Sequence, residues 1–291
     1  MALLLKSPSR RSPKVISSKN VNPRMMPAAG KGERLLSRED VMEALTDALR
    51  PLSYIHAFWE GGAPGYGRLD EWSDIDAYIL VDDGKVEQVF RAVETTLESL
   101  SRIQQKYDIG TTPWPGVFQA FYRLKGASRY MILDLAVLTT KSRETFLQPE
   151  IHGEAVFRFN KKGRARAKKL DKKALESKMR NRLERVKARF EMFGIFVQKE
   201  INRENWIEAV DLYRAVVLDS LTEVLRMKHC PIHYDFRTRY IHYELPARDV
   251  ARLKRLYFVS DEKDLIRKYG SASRWFRSTV NELEAAVTVQ P

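Results

Sequence analysis

The chain has 291 residues, of which 44% are hydrophobic and 31% are charged. This composition is that of a soluble globular protein, and the length suffices for one large domain or two ordinary ones. No apolar run is long enough to cross a bilayer, and the single cysteine, Cys230, excludes an intramolecular disulfide. We therefore expect a cytoplasmic protein without a transmembrane segment.

The net charge of +13 is concentrated in two segments. Residues 1–32 carry seven Lys or Arg and no acid, and residues 161–190 carry fourteen Lys or Arg against three acids. Such segments favour polyanions, so nucleic acid is a candidate partner through residues 161–190. A solvated helix face and an unstructured tail are the alternatives, and residues 1–36 are expected to form a mostly disordered basic tail.

The first half of the chain predicts alternating helices and strands. Ser37 and Asp40 predict the start of a helix over 38–50, which ends before a proline. Apolar periodicity and turn residues predict the remaining elements: strands over 52–59, 74–81, 117–124, 130–138 and 155–159, and a helix over 86–100. This order indicates a mixed α/β layer and not a regular doubly wound sheet.

From about residue 161 onward the apolar residues recur at helical spacing. The pattern predicts helices over 175–197, 206–225, 248–258, 261–269 and 272–287. We therefore predict an α/β (α+β) protein, with a mixed-sheet domain over residues 37–160 followed by an all-helical C-terminal domain over residues 161–291.

Two carboxylates open the predicted strand over 74–81. Asp74 and Asp76 lie at positions i and i+2 of this strand, so both side chains project from one face, roughly 6.6 Å apart. Like charges placed this way repel each other unless a cation lies between them. Oxygen ligands suit magnesium, so the pair predicts a Mg²⁺ site.

A glycine-dense loop precedes this pair, and a third acid follows it. Glycines in the loop over residues 61–67 allow backbone N–H groups to approach an anion, such as the phosphates of a nucleoside triphosphate. Asp134 is a lone acid in an otherwise apolar strand, where an unpaired charge is costly. Three carboxylates can hold two metal ions and support transfer at a nucleotide phosphate.

The run Gly61-Gly62-Ala63, ten residues, then Asp74-Ile75-Asp76 resembles the nucleotidyltransferase superfamily of DNA polymerase β. The fuller pattern through Ser-Asp-Ile-Asp resembles the branch that contains aminoglycoside and lincosamide adenylyltransferases. The resemblance implies a mixed sheet followed by a helical domain, with ATP and two Mg²⁺ ions bound between the domains. It also implies transfer of AMP to a hydroxyl of a small molecule, with release of pyrophosphate.

The resemblance assigns roles to individual residues of this chain. Asp74, Asp76 and Asp134 are the implied catalytic metal ligands. The implied nucleotide contacts are Gly61, Gly62, Ala63, Gly67 and Ser73. Ala63 stands where the family usually has serine, so a catalytically weak, antitoxin-like nucleotide-binding protein is one alternative. An enzyme acting on RNA or protein is another.

A general base would deprotonate the acceptor hydroxyl. Glu208 and Asp211, on one predicted helix, are the best candidates, and Glu144 is another. A solvent-facing role is the alternative for each. His229-Cys230-Pro231-Ile232-His233 also contains metal-binding residue types, but its proline and the lack of a second ligand pair favour a helix terminus.

Overall fold

A computed structural model describes residues 34–110 and 112–288 of the chain. The predicted basic tail over residues 1–36 therefore lies almost wholly outside the described residues. The chain forms two compact units that meet in sequence between Leu170 and Asp171, later than the predicted boundary at 160. We call the described residues up to Leu170 the sheet unit and those from Asp171 the helical unit.

The sheet unit contains one six-stranded sheet with the order β3-β4-β5-β2-β1-β6. Strands β2 and β5 are parallel, and the other neighbours are antiparallel. The elements are α1 (Arg38–Leu49), β1 (Ile55–Glu60), β2 (Ile75–Val81), α2 (Val86–Leu100), β3 (Ile103–Asp108), β4 (Val117–Leu124), β5 (Leu133–Thr139), α3 (Pro149–His152) and β6 (Val156–Asn160). The predicted mixed sheet is thus confirmed.

The N-terminus of α1 is fixed by the predicted cap. The Ser37 side chain accepts from the backbone N–H of Asp40, and the Asp40 carboxylate accepts from the backbone N–H of Ser37. This reciprocal pair satisfies two N–H groups that the first helical turn cannot use. The apolar faces of α1 and α2 then pack against one face of the sheet and form its main core.

The two faces of the sheet differ in burial. In β2, Ile75, Ala77 and Ile79 are fully buried under the helices, whereas Asp76 and Tyr78 lie on the opposite face and are half-buried. A smaller cluster covers part of this second face, where the rings of Trp59 and Tyr78 stack with centroids 5.5 Å apart. The N-terminal ends of β2 and β5 are less covered, and the carboxylates lie there.

Strand β3 was not predicted from the sequence. It consists of Ile-Gln-Gln-Lys-Tyr-Asp, and almost all of its residues are exposed at the edge of the sheet. An edge strand that buries little apolar surface lacks the alternating pattern by which strands are recognised. Its pairing with β4 supplies the backbone hydrogen bonds that its composition does not indicate.

The helical unit contains no strand among its described residues, in agreement with the prediction. Its helices are α4 (Lys172–Phe193), α5 (Ile195–Asn202), α6 (Trp206–Leu212), α7 (Asp219–His229), α8 (Ile241–Glu244), α9 (Ala247–Tyr257) and α10 (Glu262–Thr288). A π-helical turn over Tyr213–Leu218 joins α6 to α7. Helix α7 is buried along almost its whole length and lies in the core of the unit.

Two predicted helix boundaries were wrong, and each error involves a glycine. The helix predicted over 175–197 is interrupted at Gly194, between α4 and α5. The helices predicted over 261–269 and 272–287 are one helix, α10, which continues through Gly270. Glycine weakens a helix without necessarily ending it, as at Gly270. At Gly194 the helix is interrupted, although buried apolar residues continue on both sides.

The basic segment over residues 161–190 is divided between the two units. Some of its cations are paired with acids. Arg182 Nε lies 2.5 Å from Glu223 Oε1, and Lys187 forms an ion pair with Glu284. Binding of nucleic acid through this segment remains a prediction. Among the described helices, none is long and apolar enough to cross a membrane.

Candidate active site

The pairing of β2 with β5 brings the predicted aspartates together. Asp76 and Asp134 are direct partners in this parallel ladder, so their side chains project from the same face on neighbouring strands. Asp74 precedes β2 by one residue and lies two residues before Asp76, next to the start of β5, where the backbone N–H of Ile75 donates to Ile132 O over 2.8 Å. All three carboxylates thus lie at the N-terminal ends of the same two strands.

The surroundings of Asp74 and Asp134 disfavour negative charge on these two carboxylates. Burial raises the pKa of Asp74, against the opposing effects of a backbone hydrogen bond from Ile132 and the charge of Arg38. Burial also raises the pKa of Asp134, and the charge of Asp74 adds to this shift. A hydrogen bond of 2.6 Å from Gln119 Nε2 to Asp134 Oδ1 acts in the opposite direction. A bound cation would relieve the unfavourable charge.

The oxygen donors fit Mg²⁺ in type, and their spacing is wider than that of a single-ion cluster. Within the described residues, only Cys230, His233 and Glu244 place three donor atoms of His, Cys, Asp or Glu within 4.8 Å of one another. The three aspartates therefore do not all place their carboxylate oxygens within this distance of one another. Three carboxylates can hold two metal ions, so Asp74, Asp76 and Asp134 would be the ligands of two Mg²⁺ ions.

The backbone of the glycine loop lies directly against Asp76. Gly61 N–H donates to Asp76 O over 2.9 Å, and a Cβ atom at Gly62 would fall 1.8 Å from Asp76 Oδ2. Gly62 also has a φ of +65°, in the left-handed region that favours glycine. In the described part of the chain, no backbone carbonyl accepts from the N–H groups of Gly62 and Ala63. Two donors beside a carboxylate pair suit the phosphate oxygens of a metal-bound nucleotide.

The remainder of the loop is held in place by its neighbours. Gly65 O accepts from the backbone N–H of Glu154 over 3.0 Å, and a Cβ at Gly65 would lie 2.6 Å from Glu154 O. Gly67 has a φ of +63° and no atom near the position of a Cβ. Ser73 donates to Asp70 Oδ1 over 2.7 Å and so orders the turn before Asp74. The loop is therefore braced at Gly65, and its implied nucleotide contacts remain predictions.

Arg38 belongs to the site but was not predicted. Its guanidinium donates to the backbone O of Asp74, and it forms an ion pair with Glu60, which is 2% exposed at the end of β1. Burial lowers the pKa of Arg38, while the charges of Asp76 and Asp74 act against this shift. Helix α1 thus supplies a cation that fixes the start of β2. The signal available in the sequence was a lone acid at the end of an apolar strand, Glu60.

The best candidates for the general base lie outside the sheet unit, which carries the three aspartates and the glycine loop. Glu208 and Asp211 are exposed on α6 of the helical unit. They lie in the unit that does not contain the three aspartates, and their roles remain predictions.

The cluster of Cys230, His233 and Glu244 is better explained as a structural network. The buried Arg226 donates to Glu244 Oε2 over 2.6 Å, and His233 Nδ1 lies 2.9 Å from Glu244 Oε1. Burial opposes protonation of His233, but its hydrogen bonds with Cys230 and Glu244 outweigh this and raise its pKa to about 9. Both carboxylate oxygens thus have cationic partners, which leaves no favourable position for a metal ion.

Comparisons with known proteins add little to this description. Neither a protein-family model nor a curated protein matches the chain. A solved aminoglycoside 6-adenyltransferase from Bacillus subtilis is similar at 12% identity over 88% of this chain and 94% of its own, with a TM-score of 0.34. A likeness at this TM-score supports no conclusion about activity.

Proposed function

We propose that the protein is a magnesium-dependent nucleotidyltransferase that transfers AMP from ATP to a hydroxyl of a small-molecule acceptor and releases pyrophosphate. One observation carries the proposal: Asp76 and Asp134 are direct partners on neighbouring parallel strands, with the backbone of Gly62 against the Asp76 carboxylate. The motif that begins at Gly61 resembles that of adenylyltransferases, and the pairing of Asp76 with Asp134 supports the proposal.

Different residues of the site would contact the phosphates of the nucleotide and hold the metal ions. Gly62 and Ala63 would donate their backbone N–H groups to the phosphates. Asp74 and Asp76 would hold both Mg²⁺ ions, and Asp134 would hold the one nearer the acceptor. The bound ions would neutralise the phosphates and lower the pKa of the acceptor hydroxyl. Arg38 would keep Asp74 in position through its backbone oxygen.

The proposed transfer is a single displacement at phosphorus. The acceptor oxygen forms a bond to the α-phosphorus, the bond from that phosphorus to the pyrophosphate oxygen breaks, and pyrophosphate leaves with the electron pair. The hydroxyl proton would pass to a base, and Glu208 and Asp211 remain predictions for that role. In-line geometry requires the acceptor to enter opposite the leaving group.

Replacement of one carboxylate tests the proposal. Asp76→Asn keeps the shape of the side chain and removes its charge, so we expect Mg-ATP affinity to fall roughly 100-fold or more, because even changes around metal ligands cost 10–100-fold. Titration calorimetry measures the affinity, and circular dichroism checks the fold. Asp47→Asn, at an exposed position of α1, is the matched control. Unchanged Mg-ATP affinity in Asp76→Asn would refute the proposed metal site.

Turnover is tested by an AMP-transfer screen. Labelled ATP is incubated with the protein and with antibiotics, nucleotides, tRNA or protein as acceptors. We expect transfer to at least one small molecule, and we expect Asp134→Asn to abolish it. Transfer to tRNA or protein alone would support the alternative acceptors and contradict a small-molecule acceptor.

A further inference from the structure

Asp76 and Asp134 form a row of paired side chains across β2 and β5, and two aromatic side chains extend this row across β4 and β3. Across the sheet, Tyr107 of β3 pairs with Phe121 of β4, Phe121 pairs with Asp134 of β5, and Asp134 pairs with Asp76 of β2. Partners in adjacent strands project from the same face. With neighbouring strands about 4.8 Å apart, the row is roughly 14 Å long. Its aromatic end lies beside Asp134, on the side away from the glycine loop.

The aromatic end of the row is accessible. Tyr107 is 64% exposed, and its ring lies 6.2 Å from that of Phe121, with an angle of 30° between the ring planes. Neither ring belongs to the hydrophobic cores of the sheet unit. An exposed ring in an edge strand of otherwise mostly polar residues contributes little to folding. Its open face can stack on a planar ring of a ligand, as aromatic side chains stack on nucleobases.

A cation lies on the same face. Arg123 follows Phe121 by two residues in β4, so it projects from the face that carries Phe121, about 6.6 Å farther along the strand. It is half-buried, and no ion pair or side-chain hydrogen bond joins its guanidinium to another described residue. Its register partner is the neutral Gln105. The positive charge of Arg123 is therefore available to an anionic group beside the aromatic pair.

We propose that Tyr107, Phe121 and Arg123 form the acceptor-binding surface, and that the acceptor is a small molecule with a planar ring and an anionic group, of the chemical class of a nucleotide. This inference rests on the proposed function. The ring stacks on Tyr107 and Phe121, the anion pairs with Arg123, and a hydroxyl between them lies one strand from Asp134. A polycationic acceptor fits this surface poorly because Arg123 repels it.

The proposed surface would place the acceptor on the side of the carboxylates opposite the nucleotide donor. The glycine loop lies against Asp76 at one end of the row, and the aromatic pair lies beside Asp134 at the other. A nucleotide donor at the loop and an acceptor at the aromatic pair would approach the carboxylates from opposite sides. That is the arrangement in which the acceptor oxygen attacks the α-phosphorus opposite the leaving pyrophosphate.

The inference is tested by binding to the full chain in the absence of ATP and magnesium. Titration calorimetry uses three probes: uridine monophosphate, uncharged uridine and the polycationic amino sugar neomycin. We expect uridine monophosphate to bind more tightly than uridine, and neomycin not to bind. Tyr107→Ala should weaken both uridine ligands about tenfold, in line with the energy of stacking. Arg123→Gln should weaken only the monophosphate.

Matched variants control for nonspecific effects. Phe258→Ala removes an aromatic side chain that is 70% exposed in the helical unit, and Arg91→Gln removes an exposed cation from α2. Both should bind uridine monophosphate like the unchanged protein. The inference is overturned if the protein does not bind uridine monophosphate, if Tyr107→Ala and Arg123→Gln bind it normally, or if neomycin binds more tightly.

Two further measurements distinguish failure of the inference about the acceptor from failure of the proposed function. A uridine hexanucleotide that binds while uridine monophosphate does not would identify a nucleic-acid strand as the ligand and overturn the small-molecule acceptor. Mg-ATP affinity is measured on the same variants and should be unchanged by Tyr107→Ala. If Mg-ATP does not bind the unchanged protein, the proposed function fails, whatever the result at Tyr107.

Discussion

At the scale of single residues, two glycines of one loop have the same backbone conformation and different surroundings. Gly62 and Gly67 have φ values of +65° and +63°. A Cβ at Gly62 would overlap the carboxylate of Asp76, whereas a Cβ at Gly67 would meet no atom within 4 Å. The backbone conformation explains why both positions favour glycine, but only Gly62 is also required by contact with the site.

This difference predicts different consequences of the same substitution. Gly67→Ala should lower the free energy of unfolding by about 1–2 kcal/mol, the cost of a left-handed residue with a Cβ, and should weaken Mg-ATP binding less than Gly62→Ala does, because its Cβ would meet no atom within 4 Å. Gly62→Ala should carry the same cost and also displace the Asp76 carboxylate, so Mg-ATP affinity should fall at least tenfold. Urea denaturation and calorimetry measure the two effects. Equal Mg-ATP affinities in the two variants would contradict the role of Gly62.

Other residues of the site depend on contacts that no local pattern reports. Arg38 is the first residue of α1, and by sequence alone it is one of many basic residues near a helix start. Its importance comes from Glu60 and the backbone of Asp74, which lie 22 and 36 positions away in the chain. Because helical periodicity indicates which face is buried, but not what that face meets, these partners required the folded structure.

At the scale of elements, the two glycines associated with the wrong helix boundaries lie in different local geometry. Gly270 lies within α10, where a Cβ would approach only the flexible end of Arg274, at 3.4 Å. Gly194 lies between α4 and α5, where a Cβ would fall 2.5 Å from the backbone O of Phe190. The first position accepts a side chain, and the second does not without a shift of the backbone.

Alanine at these positions should therefore have opposite effects. Gly270→Ala should raise the free energy of unfolding by about 0.5–1 kcal/mol, because alanine loses less backbone entropy in a helix interior. Gly194→Ala should lower it, because the new methyl group displaces the end of α4. Chemical denaturation of the two variants measures both changes. Destabilisation by Gly270→Ala would show that α10 is interrupted in solution.

At the scale of the whole molecule, each unit has its own hydrophobic core, and the helical unit has a buried charged network besides. The network consists of Arg226, His233, Glu244 and the adjacent Cys230, with the ring of Phe236 stacked on that of His233. Hydrogen bonds raise the pKa of His233 to about 9, above its ordinary value of 6.5. The folded state therefore binds this proton more tightly than the unfolded state does.

The stability of the protein should accordingly decrease at alkaline pH. The raised pKa of His233 contributes about 3 kcal/mol to the free energy of unfolding. This contribution is complete below pH 6.5 and is lost as the pH rises through about 9. Urea denaturation between pH 6 and pH 9.5 measures this decrease. His233→Gln should flatten the profile over this range, and His242→Gln, at an exposed position, should not. A flat profile in the unchanged protein would contradict a protonated His233.

The sequence by itself determined the features that depend on short spacings. Alternation placed Asp76 on the less buried face of β2, the Ser37 cap located the start of α1, and periodicity separated a mixed-sheet region from a helical one. Each of these is a property of residues within a few positions of one another, so one-dimensional periodicity is sufficient to predict it.

Only the tertiary structure decided which distant residues meet. The parallel pairing of β2 with β5 made Asp134 the neighbour of Asp76, and the unpredicted strand β3 placed Tyr107 in the same row. Strand order and register result from how the buried faces of all strands and helices fit together. They are collective properties of the whole chain, which is why the aspartates could be predicted individually, while the aromatic pair beside them required the folded structure.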